Sequence, residues 1–208
     1  MKTALNIILV ALCVTFFSCQ KDDLSTGSSS ITSNGILSGK IVNYVPNSID
    51  SLKAMSYDFV GLGKVSTTGD FYIRLTIPRL SKVGKMSGIT VSDTTAMIGI
   101  VDIESYLNSN YIGVLFKCNY SSDSINNNMT KSSIFTYSDK EFTEKGTHVD
   151  SGAQYNITYI YNLTFKKGWN EVVYKYSYST AWNSVTMNKS WTNNITSDIQ
   201  WHFFKSVN

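Results

Sequence analysis

From Tyr155 to Phe165 the odd-numbered positions are Tyr155, Ile157, Tyr159, Tyr161, Leu163 and Phe165, while the even ones are mostly Asn and Thr. A period of two places those six side chains on one face of an extended strand, whereas a helix of period 3.6 would scatter them around its circumference. After Lys166-Lys167-Gly168-Trp169-Asn170 the phase switches and Val172, Tyr174, Tyr176 and Tyr178 form the next apolar set. The two runs read as a hairpin joined by a Gly-containing turn. Shorter stretches of the same alternation occupy residues 36–45, 71–77, 97–101, 112–118, 134–137 and 199–204. Eight or more short strands separated by turn residues point to an all-β chain, an antiparallel β-sandwich or a barrel. The helical signal is poor: residues 49–55 and 103–107 could manage a turn or two. Pro46 and Pro78 stand at strand ends, where a missing donor does least harm.

Such strands need enough apolar mass to bury. Hydrophobic residues are 42% of the chain and charged residues 16%, with 13 Tyr, 10 Phe and 4 Trp. Once the N-terminal segments described below are set aside, roughly 175 residues remain, one large domain or two small ones. Of the three cysteines, Cys13 and Cys19 belong to the N-terminal segment and only Cys118 to the body, so no internal disulfide is expected. Cys118 reads as a small buried hydrophobe rather than a reactive thiol. Basic and acidic residues number 18 and 15, a balance that gives no electrostatic footprint for nucleic acid.

The first residues have their own logic. Lys2 supplies a positive start, residues 7–17 are apolar, and Ser18-Cys19 follows. The run is short of the ~20 residues a membrane-spanning helix needs, which marks a signal peptide over residues 1–18. Phe16-Phe17-Ser18-Cys19 resembles the lipobox of bacterial lipoproteins, with Phe16 where many carry Leu, as is usual in the Bacteroidetes version. That resemblance implies cleavage before Cys19 and membrane attachment through lipid on its thiol and amine. Two or three acyl chains suffice for stable anchoring at ~0.8 kcal/mol per buried CH2. Gln20-Lys21-Asp22-Asp23 is similar to the Lys-acidic-acidic tract that marks Bacteroidetes lipoproteins for the outer face of the outer membrane, so a lipid-anchored, surface-exposed location is expected. The Ser, Thr, Gly and Asn of residues 25–35 complete a flexible tether over residues 19–35.

Within the body, Gly39-Lys40-Ile41-Val42, Ser51-Leu52-Lys53-Ala54 and the run from Gly63 through Gly69-Asp70 to Ile73 resemble transthyretin-like, carboxypeptidase-regulatory-like β modules. The resemblance implies a β subdomain over residues 36–85, followed by a larger β-sandwich subdomain over residues 86–208, with a soft boundary in the polar, Gly-containing stretch 79–88. Asn162 to Asn170 looks like a hairpin that recurs in secreted Bacteroidetes lipoproteins of unknown function. Neither resemblance speaks to activity.

A search for chemistry finds little. His148 and His202 are the only imidazoles, too scattered for a zinc constellation or a triad, so no metal and no cofactor are expected. His148-Val149-Asp150 reads as a solvated loop and His202 as facing water. Asp102/Glu104 and Asp139/Glu141 would each lie about 7 Å apart on one strand face, near glycosidase spacing, but such pairs arise by chance. Residues 121–128 offer oxygen ligands without the calcium-loop pattern, and no Gly-rich loop opens a helix. Three Asp-Ser/Thr-x triplets, beginning at Asp50, Asp93 and Asp123, match an O-glycosylation motif of exported Bacteroides proteins. The surface candidates are Trp182 and Trp191, in a Ser/Thr/Asn-rich stretch: a flat indole can stack on a sugar, or it can cover the end of a sandwich. The expectation is a non-catalytic binding module that captures glycan or a cell-surface protein, with Trp182 or Trp191 at least half exposed beside a groove. The alternative is a structural or adhesive envelope component that pairs strand edges with protein partners.

Overall fold

The computed structural model describes residues 31–32, 34–119, 131–181 and 184–206, and every regular element among them is a strand. In chain order these are β1 (Ile36–Lys40), β2 (Ser51–Met55), β3 (Phe59–Val65), β4 (Asp70–Leu75), β5 (Ser81–Lys82), β6 (Ile89–Val91), β7 (Met97–Leu107), β8 (Asn110–Cys118), β9 (Lys131–Ser138), β10 (Phe142–Gly152), β11 (Tyr155–Phe165), β12 (Gly168–Ala181), β13 (Ser184–Thr192) and β14 (Gln200–Lys205). They form one mixed sheet in the order β1-β4-β3-β2-β7-β8-β9-β12-β13-β11-β10-β6, with β14 on β8 and β5 on β7. Every ladder is antiparallel except that of β11 on β13. The chain is therefore all-β and sandwich-like. The sheet curls without closing into a barrel: where β14 comes round to the chain beyond β1, they share a single parallel bridge between Ile41 and Trp201.

β7 is the joint of the sheet. Its residues 98–101 pair with β9 and its residues 104–107 with β8, so one strand feeds two surfaces. The two stretches read as marginal helix are strands. Ser51-Leu52-Lys53-Ala54 alternates with Leu52 and Ala54 fully buried, and residues 103–107 continue the inward set Val101, Ile103, Ser105 of β7. Period two prevails because these residues have a sheet face to cover.

The expected hairpin of the Tyr-rich runs is corrected in one respect. The turn exists, closed by Asn170, which donates to the carbonyls of Lys166 and Gly168 and accepts from the Lys166 amide. Beyond it, however, β11 and β12 splay, and β13 is wedged between them, parallel to β11 and antiparallel to β12. At the fork the Asn193 side chain takes over the broken ladder, accepting from the Thr164 amide at 2.7 Å and reaching the Glu171 carbonyl at 3.5 Å.

Two apolar clusters result. The first joins Leu37, Leu52, Phe71 and Ile73 from β1, β2 and β4 to Val101, Leu115, Phe135 and Trp201 from β7, β8, β9 and β14. The second joins Val83 and Ala96 to Phe142, Leu163, Phe165 and Val172. β9 and β12 separate them and are covered on both faces, so their burial does not alternate: Glu171, Val172 and Val173 are all buried in sequence.

That double burial encloses an ion pair. Lys117 Nζ lies 2.7 Å from Glu171 Oε1, with side chains 1% and 3% exposed, and the Ser133 hydroxyl donates to the same oxygen at 2.5 Å. Removing one partner breaks a buried pair, at a cost of about 3–5 kcal/mol, whereas replacing both by apolar side chains of similar volume is often neutral or stabilising. Lys117→Met and Glu171→Leu are each expected to lower the unfolding free energy by about that amount, while the double variant recovers most of the loss. Equilibrium denaturant unfolding of the four proteins measures it; additive losses would show that the two charges are not coupled.

Candidate functional site

The face with the most unusual chemistry is carried by β10, β11, β13 and β12, side by side. Register fixes which side chains share it. His148 lies opposite Tyr159 and Gly146 opposite Tyr161; Tyr159 and Tyr161 lie opposite Lys189 and Trp191; and Tyr174, Tyr176 and Tyr178 lie opposite Trp191, Lys189 and Met187. Directly opposed side chains on one face are in contact range. The rings accordingly form a continuous row: Trp191 stacks on Tyr161 at 4.6 Å and 7°, lies parallel to Tyr159 at 6.2 Å, and is tilted against Tyr174 at 5.0 Å. Lys189 Nζ sits 5.5 Å from the centre of the Tyr159 ring, within cation–π range. The other face of the same strands is built of residues such as Thr158, Asn162, Ser177, Asn188 and Ser190.

One half of the aromatic face is roofed and the other is open. The segment between β5 and β6 lays Val83 against the second core cluster, and Met86 Sδ lies 3.7 Å from the Tyr161 hydroxyl that donates to it. Its far end is latched where the Gly88 carbonyl accepts from the Thr147 amide at 3.1 Å and Ser87 meets His148 Nδ1 through its hydroxyl at 3.0 Å and its carbonyl at 3.1 Å. A side chain on Gly88 or Gly146 would collide with the backbone of the other segment at this crossing, which allows the roof to sit so close. Beyond it the rings meet solvent, with Tyr155 44% and Tyr178 46% exposed.

Beneath the roof is a hollow of about 270 Å³, lined by Val83, Met86, Ile134, Val172 and other aliphatic residues together with Tyr161, Trp191 and Glu144. Desolvation by burial pushes the Glu144 carboxyl above its ordinary value. Burial, and then the nearby Glu144 charge, push the Tyr161 hydroxyl up to about 12. Among the described residues no hydrogen bond or ion pair reaches the Glu144 carboxylate.

The residues singled out from sequence are placed as follows. Trp191 is part-buried in the middle of the row, where it edges the hollow; it is not the half-exposed indole expected. Trp182, Cys19 and residues 121–128 lie outside the described residues. His148 is not in a solvated loop but in β10, because alternation there pairs it with Tyr159 and Ser87. His202 is part-buried in β14 rather than facing water, and desolvation lowers its pKa. Asp102 and Glu104 do share a face of β7. Desolvation, and then Glu104 beside it, raise the Asp102 carboxyl, while Glu104 accepts from the Tyr106 hydroxyl at 2.7 Å. Asp139 and Glu141 lie in the turn between β9 and β10, not on one strand, and Asp139 accepts the Met97 amide at 2.8 Å, which fastens that turn to the start of β7. Cys118 is fully buried. Sequence reasoning missed Glu144. Its signal was the alternation of Phe142, Glu144, Gly146 and His148, one acidic residue on an otherwise inward face.

Because Glu144 holds its proton more tightly folded than unfolded, its favourable contribution is full below the ordinary carboxylate range and is lost as pH rises through the elevated value. Glu144→Gln, which cannot ionise, is expected to melt above the wild type at about pH 7 and to lose that advantage near about pH 3. Thermal unfolding of both proteins across this range tests it, and a constant difference would place the effect elsewhere than in ionisation. Comparison of the chain with family models, with curated proteins and with solved structures finds no match.

Proposed function

We propose that the chain is a non-catalytic surface lipoprotein, held at the outer membrane through lipid on Cys19, that captures glycan on the open half of its aromatic face. The observation that carries this reading is the row of rings on β11, β13 and β12. Tyr155, Tyr159, Tyr176 and Tyr178 stand on one face with Lys189 and His148 between and beside them, and the outermost rings are nearly half exposed. Contiguous exposed apolar surface marks interaction sites more than scattered single residues do, and flat rings on a rigid sheet offer apolar faces to sugar C–H groups while their hydroxyls remain available to sugar oxygens. Strand spacing repeats the rings at intervals suited to an extended chain rather than to one small molecule.

A second reading, an adhesive or structural envelope component, is favoured by a different feature. β6 pairs with β10 only at residues 144–146, while β10 runs on to Gly152. Among the described residues no strand covers that outer edge, and an open edge is a template for a partner's strand.

A glycan array probed with the chain from residue 20 onward separates the two. Under the capture reading the wild type binds a defined set of glycans, and Tyr176→Ala/Tyr178→Ala, as well as Trp182→Ala/Trp191→Ala, weakens binding at least about tenfold, equivalent to 1.4 kcal/mol. No binding by a folded wild type would leave the adhesive reading ahead. For the anchor, Cys19→Ser is expected to abolish incorporation of labelled palmitate and to release the protein from the membrane fraction; unchanged labelling would rule out Cys19 as the lipidated residue.

A further inference from the structure

We propose that the roofed hollow beside Trp191 binds a monovalent organic ammonium ion with an apolar body, its nitrogen held between the Glu144 carboxylate and the rings of Tyr161 and Trp191. This site is distinct from the open tyrosine platform and does not depend on glycan capture.

The argument begins with an imbalance of charge. Glu144 is the one acidic or basic side chain among the residues that line the hollow. It is part-buried, and among the described residues no hydrogen bond or ion pair compensates it. A carboxylate withdrawn from water is costly unless paired. The buried acid Glu171 has its charge paired through Oε1 by Lys117 and Ser133. Glu144 has no such pairing, so a cation entering the hollow would supply a partner that the chain lacks.

The surroundings select the kind of cation. Apart from Thr136 and Gly84 the remaining lining is aliphatic and aromatic, with too few oxygens for a hard divalent ion, which takes six or more. Among the described residues no three His, Cys, Asp or Glu side chains gather as a metal site. Aromatic rings and one carboxylate are instead the partners of an organic ammonium, whose charge the ring quadrupoles attract and whose hydrocarbon portion the aliphatic wall accepts. The same row already holds one ammonium, Lys189 over Tyr159. A volume of about 270 Å³ lies just below the ~300–1,000 Å³ of pockets for drug-sized ligands, which limits the guest to a single ring or a short chain.

The test uses the full chain in zwitterionic nanodiscs, with empty nanodiscs subtracted, titrated calorimetrically with 2-phenylethylammonium and with its neutral counterpart 2-phenylethanol. The wild type is expected to bind the ammonium at least about tenfold more tightly than the alcohol. Glu144→Gln, which preserves shape, should bind both alike. Trp191→Phe, which keeps a ring with a weaker quadrupole, should weaken the ammonium more than the alcohol, with melting curves confirming that both variants fold. Equal affinity of the wild type for the two compounds, a preference that survives Glu144→Gln, or no heat from the ammonium at millimolar concentration would overturn the proposal. None of these outcomes bears on the glycan array.

Discussion

The indole of Trp201 is the contact on which the curl of the sheet depends. It is 2% exposed, stacks on Phe135 of β9 at 5.4 Å and 9°, and meets Phe71 of β4 edge-on at 5.0 Å and 90°. Its own backbone bridges Ile41, and its carbonyl accepts from the Val42 amide at 2.9 Å. One residue near the C-terminal end thus ties the first strands of the body to the middle and last ones. Aromatic pairs of this kind contribute about 0.5–1.5 kcal/mol each beyond the area they bury. The fit requires Gly39, because a β-carbon there would strike the indole. Among the described residues the ring nitrogen has no hydrogen-bond partner, so apolar contact alone holds the indole, at the expense of one unsatisfied donor. The first apolar cluster consequently runs from Leu37 to Trp201 and draws on strands from both ends of the chain.

The second constraint is the wedge of β13. Had β11 and β12 continued as a simple hairpin, Tyr161 and Tyr174 would have been neighbours and Trp191 would have had no place between them. The fork held by Asn193 opens a slot one strand wide, and the slot is filled by a strand whose indole bridges the two tyrosines. The continuous aromatic row is therefore a product of topology, since neighbouring rings come from strands that are not consecutive in the chain. The roof is equally non-local: it is laid down before β7 and latched onto β10 through Ser87, Gly88, Thr147 and His148.

These features mark the limit of what was legible in the sequence. Alternation identified β11, β12, β8 and β14 because over most of its length each sets large apolar side chains on alternate positions, even where β12 and β8 are covered on both faces, and the same regularity gave the all-β class. It failed at residues 49–55 and 103–107, where short runs fit either period until a facing surface is known. It could not show that β13 splits the hairpin, because the local turn chemistry of Asn170 is the same whether the strands beyond it pair or part. Lys117 was hidden for the opposite reason. Between Leu115 and Cys118 a lysine reads as an outward residue, and only the location of Glu171, 54 residues away, makes its burial tolerable. Glu144 was obscured similarly: an acid on an apolar strand face has no sequence partner to signal a site, and the rings beside it come from β11 and β13.

One buried and one part-buried carboxylate define the division of labour in this half of the molecule. They lie on opposite sides of the doubly covered strands, Glu171 toward the first cluster and Glu144 toward the hollow. Glu171 has its charge paired through Oε1 by a lysine and a serine fixed in the sheet, although its Oε2 has no hydrogen-bond partner among the described residues. Glu144 has the desolvation without the partner, and the surface around it is apolar and concave. Folding tolerates such a cost where other contacts over-determine the local structure, and here the stacked rings, the fork at Asn193 and the latch at His148 do so. Energy left unrecovered at an accessible, rigidly framed group is available to a ligand, and the largely apolar and aromatic walls of the hollow set what kind of ligand can take it.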